Sequence, residues 1–493
     1  MSSLRSRLSV GTAYTLVSLL IVQAISLVTS VIYARLLGRE DLGLLAIINQ
    51  LSASVVPMAT LGLGTAITKL IPNYRQEGPE ALNRLLSTAL WILLGTGCAV
   101  SAGFFLAANG LADLYGVPEL SLLLHISALL VVFDALLTFA VAVVQGFQRV
   151  KELAVVGLYA KAMTVPVIFA MTLTWGLLGA VLAGITSLAL NLAIYYRTTR
   201  RIAASERIRV SARHFDRRYA ARILRVALPL FAAFVVLRPA LLFQSSYLAL
   251  YLGFAGLGLF RVAYSLYRIA LFLPAPLGVP LLPAISEIYE TNPRSQTRTQ
   301  LSALIRISAL LMLPVTLVLG FASGPIIELL YGPEYVAATS LVFVLSIAAF
   351  VDTIGSIAEN ALLGTGRSVQ VLILTVMQAA VITVSSYVLI SAAGLIGIGY
   401  AILLNSILYV VVVGAYLHRR GELDLRAIGP SAALAGGAFS VAALVAAFGG
   451  FNNIGMSAVF LAALVLVELR LLTHRDRLIL KDALKSVLTR AEP

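Results

Sequence analysis

"GREDLGLLAI" (Gly38–Ile47) and "GFAGLGLFRV" (Gly253–Val262) are the two stretches whose comparison decides the fold. Laid over one another at an offset of 215 residues, they agree at four of ten positions: Gly38 with Gly253, Leu42 with Leu257, Gly43 with Gly258 and Leu44 with Leu259. In a leucine-rich chain such a match carries little weight alone. Further pairs follow in the same order, however. Tyr74 matches Tyr289, "LYG" at 114–116 matches "LYG" at 330–332, Asp134 matches Asp352, Gly146 matches Gly364 and Arg149 matches Arg367, with the offset drifting only from 215 to 218. Collinear matches at nearly one offset indicate an internal duplication.

What was duplicated follows from composition. Of 493 residues, 60% are hydrophobic and 12% charged, against roughly 45–50% and about 25% in ordinary soluble domains. A bilayer core about 30 Å thick takes roughly 20 apolar residues per helical crossing, and the chain supplies such segments in succession. No apolar/polar alternation suggests a barrel. The reading is an all-α polytopic membrane protein with about fourteen transmembrane helices between residues 10 and 473. Two parallel six-helix repeats account for twelve of them. The expected organisation is an N-terminal lobe at 1–196, a basic linker at 197–225, a C-terminal lobe at 226–417, an extra helix pair at 430–473 and a basic tail at 474–493. Because six is even, both repeats enter the membrane in the same direction. Transporters built from parallel repeats place substrate between the halves and alternate access to it.

The net charge of +14 lies where topology requires it. Even-numbered connections hold Arg75 and Arg84, Arg149 and Lys151, about ten arginines between Arg197 and Arg225, then Arg294, Arg298 and Arg306, Arg367, and Arg419, Arg420 and Arg426. Odd-numbered connections are nearly free of base, apart from Arg35 and Arg39, which Glu40 and Asp41 offset. The positive-inside rule therefore places both termini in the cytoplasm of a multi-pass plasma-membrane protein. The run from Val10 to Ala34 is too long for a signal-peptide core.

Catalysis finds little support. Cys98 is the single cysteine, and His125, His214, His418 and His474 are scattered without metal-ligand spacing. No phosphate-binding loop is present, and no cofactor or metal is expected. The arginines of the linker lack an aromatic platform or a folded reader, which argues against nucleic acid. Instead "HFDRRYAARILR" (214–225) places Phe215, Tyr219, Ile223 and Leu224 in one stripe, the pattern of an interfacial helix drawn to anionic lipid.

An opening helix followed by "ARLLGREDLGLLAI", then "LGLGTAITKLIPNY", then "LYG" before the fourth helix and a G-x-x-R turn after it ("GFQR", again as "GTGR") resembles the polysaccharide and O-antigen flippases of the multidrug/oligosaccharidyl-lipid/polysaccharide exporter superfamily. The resemblance covers about residues 5–470 and rests on order and spacing rather than on any single motif. It implies movement of a polyprenyl-linked saccharide from the cytoplasmic leaflet to the outer one. It also implies glycosyltransferases of the same pathway as partners.

Ionisable residues at membrane depth are the candidate site. Each costs at least about 2.5–3.5 kcal/mol to insert, so those present face a cavity or a partner. Arg238 falls in the seventh helix. Arg261 and Arg268 fall in the eighth, seven residues apart and on one face, with Tyr264 between them. Lys69, near the inner end of the second helix, is expected to snorkel to the cytoplasmic surface, whereas Lys161 lies in the fifth helix and Arg35 at the outer end of the first. These cations suit an anionic lipid pyrophosphate, which guanidinium groups bind in bidentate fashion. Asp134 and Asp352 occupy matching positions of the repeat, and Glu359 follows Asp352 on the same face. They are expected either to neutralise the arginines or to bind a coupling Na+ or H+. Pro57, and Pro274, Pro276, Pro280 and Pro283, predict bends in the second and eighth helices.

Two other classes fit less well. A drug/cation antiporter of the same superfamily would have twelve helices and an acidic cavity. A membrane glycosyltransferase or polymerase would carry acidic or histidine-rich residues in a large outer loop, and the odd-numbered connections are short.

Overall fold

The computed structural model describes residues 2–206, 208, 210, 214–272 and 294–449. Among these residues the fold is helical throughout, and the duplication is written in its turns. The first helix α1 (Ser2–Thr60) changes direction at Gly38 (φ 74°, ψ −179°), and α6 (Arg217–Phe272) at Gly253 (φ 75°, ψ 173°). At the fifth connection, α5 (Val150–Ser205) breaks at Gly176 (φ 54°, ψ −131°). Its counterpart 218 residues on is Gly394 (φ 60°, ψ −132°), which separates α10 (Ser368–Ala393) from α11 (Leu395–Arg419). Positive φ with an extended ψ is open in practice only to glycine. These four glycines thus fold each repeat at the same two points.

The "LYG" glycines mark the third such point. Gly116 ends α3 (Pro79–Tyr115) with φ 67° and ψ 24°. Gly332 has φ 108° and ψ 167° and leads from α8 (Ser323–Leu330) into a 3-10 turn (Pro333–Ala338). The φ values share their sign while ψ differs, because the second copy carries this extra turn before α9 (Thr339–Gly364).

Nine helices are long and apolar enough to cross a membrane among the described residues. Three of those spans, Ile21–Glu77, Lys151–Ser205 and Phe234–Leu271, contain Gly38, Gly176 and Gly253 respectively. Helices also outrun the apolar windows: α3 begins at Pro79, with proline in its first turn and a Glu80–Arg84 pair at 2.7 Å, and α7 (Arg294–Phe321) takes in the polar "RSQTRTQ". A good N-terminus and i,i+4 pairing extend a helix into water at little cost. The second expected helix is interrupted. After Pro57 it ends at Thr60, turns through Leu61 (φ 48°) and Gly62 (φ 72°), and resumes as α2 (Leu63–Glu77). Thr96 of α3 donates to the freed carbonyl of Ala59 at 2.6 Å. Pro274, Pro276, Pro280, Pro283, the segment 453–473 and the tail lie outside the described residues.

The chain divides into two compact units, Ala24–Gly258 and Met1–Gln23 with Leu259–Pro493. In the first, α2, α3, α4 (Glu119–Gly146), α5 and the start of α6 share a core that includes Ile67, Ile71, Leu85, Leu93, Val143 and Ile223. The expectation of a separate surface helix at 214–225 is corrected here. Residues 217–225 are the first turns of α6; Ile223 has no exposed surface, and the Tyr219 ring lies 5.3 Å from that of Tyr74. Burial against protein takes up Tyr219 and Ile223 of that stripe, while Phe215 stays exposed. In the second unit, α7, α9 and α12 (Leu425–Gly449) pack through Leu313, Leu317, Phe350 and Phe439, and a second cluster joins α9, α10 and α11.

One junction recurs in both units. Asp216 immediately precedes α6; its carboxylate lies 3.6 Å from Arg84 and its amide donates to Thr88 at 3.1 Å. Asp424 immediately precedes α12; its carboxylate lies 3.2 Å from Arg298 and its amide donates to Ser302 at 2.9 Å. Arg84 and Thr88 lie 214 residues before Arg298 and Ser302. The helix that follows the second repeat therefore starts as the helix that follows the first repeat does.

Candidate functional site

After Gly253 the chain runs as an uninterrupted helix to Phe272, and its two faces differ in chemistry. Val262, Ala263, Leu266, Tyr267 and Ala270 are buried. Arg261 and Arg268 are exposed, with Tyr264 and Ser265 half-buried between them. The expected grouping of Arg261, Tyr264 and Arg268 on one face is what the helix shows. Arg261 interacts electrostatically with Tyr264, Arg268 and Tyr331. No ion pair engages Arg238, Arg261 or Arg268 among the described residues. A guanidinium kept unneutralised at membrane depth is available to an anion.

The aromatic surroundings hold this helix in place. Tyr264 stands 5.4 Å from Phe260 and 5.3 Å from Tyr267, ring to ring. Ser265 Oγ and the Tyr331 hydroxyl are 2.6 Å apart, and the Tyr331 ring is 6.2 Å from that of Tyr335. Tyr331 and Tyr335 are among the largest fully buried side chains. The second "LYG" tyrosine is thus a brace beneath the arginine face. Its counterpart Tyr115 plays a related part elsewhere, with its hydroxyl 2.5 Å from Ser246 Oγ.

Asp352 of α9 meets the buried side of this helix. Tyr267 donates a hydrogen bond to Asp352 Oδ2, and Ser406 of α11, whose hydroxyl donates to the Ile402 carbonyl at 2.9 Å, lies beside the same carboxylate. Glu359, two turns along α9, interacts electrostatically with Tyr409, which also lies close to Asp352. Among the described residues Asp352 is bonded to a tyrosine hydroxyl, Glu359 lies near another, and neither forms an ion pair with an arginine. Tyr267, Ser406 and Tyr409 escaped the sequence reading because a buried tyrosine in an apolar helix looks like ordinary packing. The one available signal was that Tyr267 follows Tyr264 by three residues.

The remaining candidates are spread out. Asp134 is half-buried in α4, and no hydrogen bond or ion pair to it is present among the described residues. Arg238 is half-buried in α6 and Lys161 half-buried in α5; Arg35 in α1 and Lys69 in α2 are exposed. No group of three or more metal-ligating side chains occurs among the described residues. At the basic end, Arg222 donates to the Tyr74 hydroxyl at 2.9 Å, which raises the guanidinium's affinity for its proton. Burial pushes the Tyr219 phenol up beside it.

Comparison with known proteins is informative at this point. The family model described as "Polysaccharide biosynthesis protein" matches residues 8–289. The chain belongs to this family. Its fold is shared with a solved structure of the lipid II flippase MurJ in an inward closed conformation (TM-score 0.73, 13% identity, 92% of this chain and 97% of that one). It is shared too with an inward-facing multidrug resistance MATE transporter of the MOP superfamily (TM-score 0.68, 17% identity, 81% and 94%). A third structure, a MOP superfamily transporter from Pyrococcus furiosus whose binding pocket is described as of reverse polarity, matches with TM-score 0.61 and 16% identity over 84% and 96%. No curated protein sequence matches. The family member is thus a multi-pass membrane protein with the helical fold of flippases and transporters rather than of an enzyme.

Proposed function

We propose that this chain is a flippase that carries a polyprenyl-(pyro)phosphate-linked oligosaccharide from the cytoplasmic to the outer leaflet by alternating access, for cell-surface polysaccharide or glycan assembly. The observation that carries the reading is the face formed by Arg261, Tyr264 and Arg268: two arginines on the solvent-reached side of the helix, Arg261 deep among protein atoms, with no acidic partner among the described residues and a tyrosine ring between them. Seven residues span about 10 Å along a helix, a separation that two long arginine side chains can close around one diphosphate. Arg238, Lys161 and Arg35, in the unit Ala24–Gly258, are the further substrate-binding candidates. Family membership supports a saccharide cargo. Both termini are placed in the cytoplasm by the charge pattern, and glycosyltransferases of the same pathway are the expected partners. Asp134, Asp352 and Glu359 are the candidates for a coupling Na+ or H+.

The test is loss of function in cells. Deleting the gene is expected to make lipid-linked saccharide accumulate on the cytoplasmic leaflet. Arg261→Ala or Arg268→Ala is expected to reproduce that accumulation at normal protein level, since one charge-assisted bidentate contact is worth about 1.5–3 kcal/mol, or roughly 10- to 150-fold in affinity. Full complementation by both variants would refute the cationic site. The likeness to MATE transporters supports a second reading, a cation-coupled drug antiporter. Under it the deletion sensitises cells to organic cations and leaves the lipid-linked saccharide where it was.

A further inference from the structure

The stretch that reveals the duplication also makes an unusual contact. A Cβ atom placed on Gly43 would lie 1.9 Å from the carbonyl oxygen of Phe254, and one on Gly258 would lie 2.0 Å from the carbonyl oxygen of Arg39. The four residues are two repeat-related pairs, since 39 + 215 = 254 and 43 + 215 = 258. In each copy, the residue just after the turn glycine rests on the helical glycine of the other copy. The contact is reciprocal, as an approximate two-fold relation between repeats requires. Flanking Leu42 and Leu257 are 4% and 2% exposed, so the crossing is dry. A third tie lies at the same end: the Tyr115 hydroxyl meets Ser246 Oγ at 2.5 Å, and the Tyr115 ring lies 6.3 Å from that of Phe254. All of these residues belong to the unit Ala24–Gly258.

We propose that this reciprocal glycine crossing is the gate that closes the outer end of the transport path, and that it parts to let cargo leave. Its construction suits that task. Backbone against backbone seals more tightly than any side-chain contact, because glycine lets two helices approach with no Cβ between them. The attraction is nevertheless small, consisting of van der Waals contact and weak Cα–H···O interactions. No ion pair joins Arg39, Gly43, Phe254 and Gly258 among the described residues. A closure of this kind separates without exposing a buried charge. The polar residues of the turn, Arg39 and Glu40, are exposed and form a wetted rim outside it. The inference rests on the flippase reading only for the nature of the cargo.

The gate is tested by accessibility. In a Cys98→Ser, Ser246→Cys background the new thiol reports on the closed contact from beside Tyr115. A membrane-impermeant maleimide applied to intact cells is expected to label it slowly, and roughly tenfold faster when Gly43→Ala or Gly258→Ala is added, as for a tenfold shift in the open population. Gly103→Ala, which meets open space, is expected to leave the rate unchanged. Equal labelling in all of these folded proteins would overturn the proposal. Hydrogen–deuterium exchange on the unaltered chain supplies a second measurement if the alanine variants do not fold. Peptides covering 38–45 and 253–260 are expected to open at one common rate, and unrelated rates count against a shared gate. Neither readout needs cargo, so a failed saccharide-accumulation experiment and a failed gate are distinguishable.

Discussion

Arg149 and Arg367 occupy the same position of the duplicated unit, yet replacing them is expected to have very different consequences. Arg367 makes two contacts of 2.7 Å with the two oxygens of Glu422, and the side chains are 17% and 9% exposed. Arg149 makes one contact of 3.2 Å with Glu152, three residues along the chain, where the side chains are 46% and 43% exposed. Arg367→Ala strands a carboxylate with little access to water. Breaking a fully buried pair in this way costs about 3–5 kcal/mol, and the residual access of Arg367 places this one near the lower end, about 3 kcal/mol. Arg149→Ala removes a solvated pair worth less than about 0.5 kcal/mol. For a cooperative unit of roughly 150–250 residues, 1 kcal/mol moves the midpoint by about 2–4 °C, so Arg367→Ala is expected to lower it by about 6–12 °C and Arg149→Ala by no more than about 2 °C. Thermal unfolding of purified protein in one fixed detergent, with each variant run against its Lys counterpart, measures both. Arg367→Lys keeps the charge but loses the fork, and should recover about half of the loss. Equal shifts for the two alanine variants would show that burial does not set the cost.

Gly38→Ala meets no atom within 4 Å, so its whole effect is backbone strain at φ 74°, about 1–3 kcal/mol. It is measured as a lower unfolding midpoint, and a variant as stable as Gly103→Ala would mean that the turn relaxes. Tyr267→Phe removes a donor to Asp352 and is expected to cost about 1–3 kcal/mol in stability, with the companion Asp352→Asn losing gradient-driven accumulation of lipid-linked saccharide at the outer leaflet. Transport by Asp352→Asn that still collapses with the ion gradient would move the coupling role elsewhere.

Much of the architecture was legible because membrane depth restricts what a sequence can do. Every backbone polar group must be satisfied inside the segment, so apolar runs are helices and their interruptions are turns. Gly38 and Gly253 were therefore visible before their dihedral angles were. Boundaries were less so, because Pro79 and the Glu80–Arg84 pair extend α3 beyond its apolar window. The stripe at 215–224 misled for a different reason: an amphipathic pattern states that one face is buried, not whether lipid or protein buries it. The burial of Ile223 in the core of α2–α5 decides for protein.

The site shows the same division. Position in the sequence placed Arg261, Tyr264 and Arg268 on one face, since a seven-residue spacing fixes that without further information. It did not say which groups answer the carboxylates. Asp352 meets Tyr267 and Ser406, Glu359 meets Tyr409, and the partners come from α6 and α11, distant in sequence from α9. One helix thus presents its arginines on one face and holds Asp352 through Tyr267 on the neighbouring, buried face. An event that changes the charge of Asp352, whether protonation or arrival of a cation, changes the strength of the hydrogen bond it accepts from Tyr267. Tyr267 is three residues from Tyr264 and one from Arg268 in one helical segment, and its ring touches that of Tyr264, so a shift of this helix moves both sides together. A coupling ion at Asp352 would therefore act on cargo through the position of this helix, with no ion pair between carboxylate and arginine required.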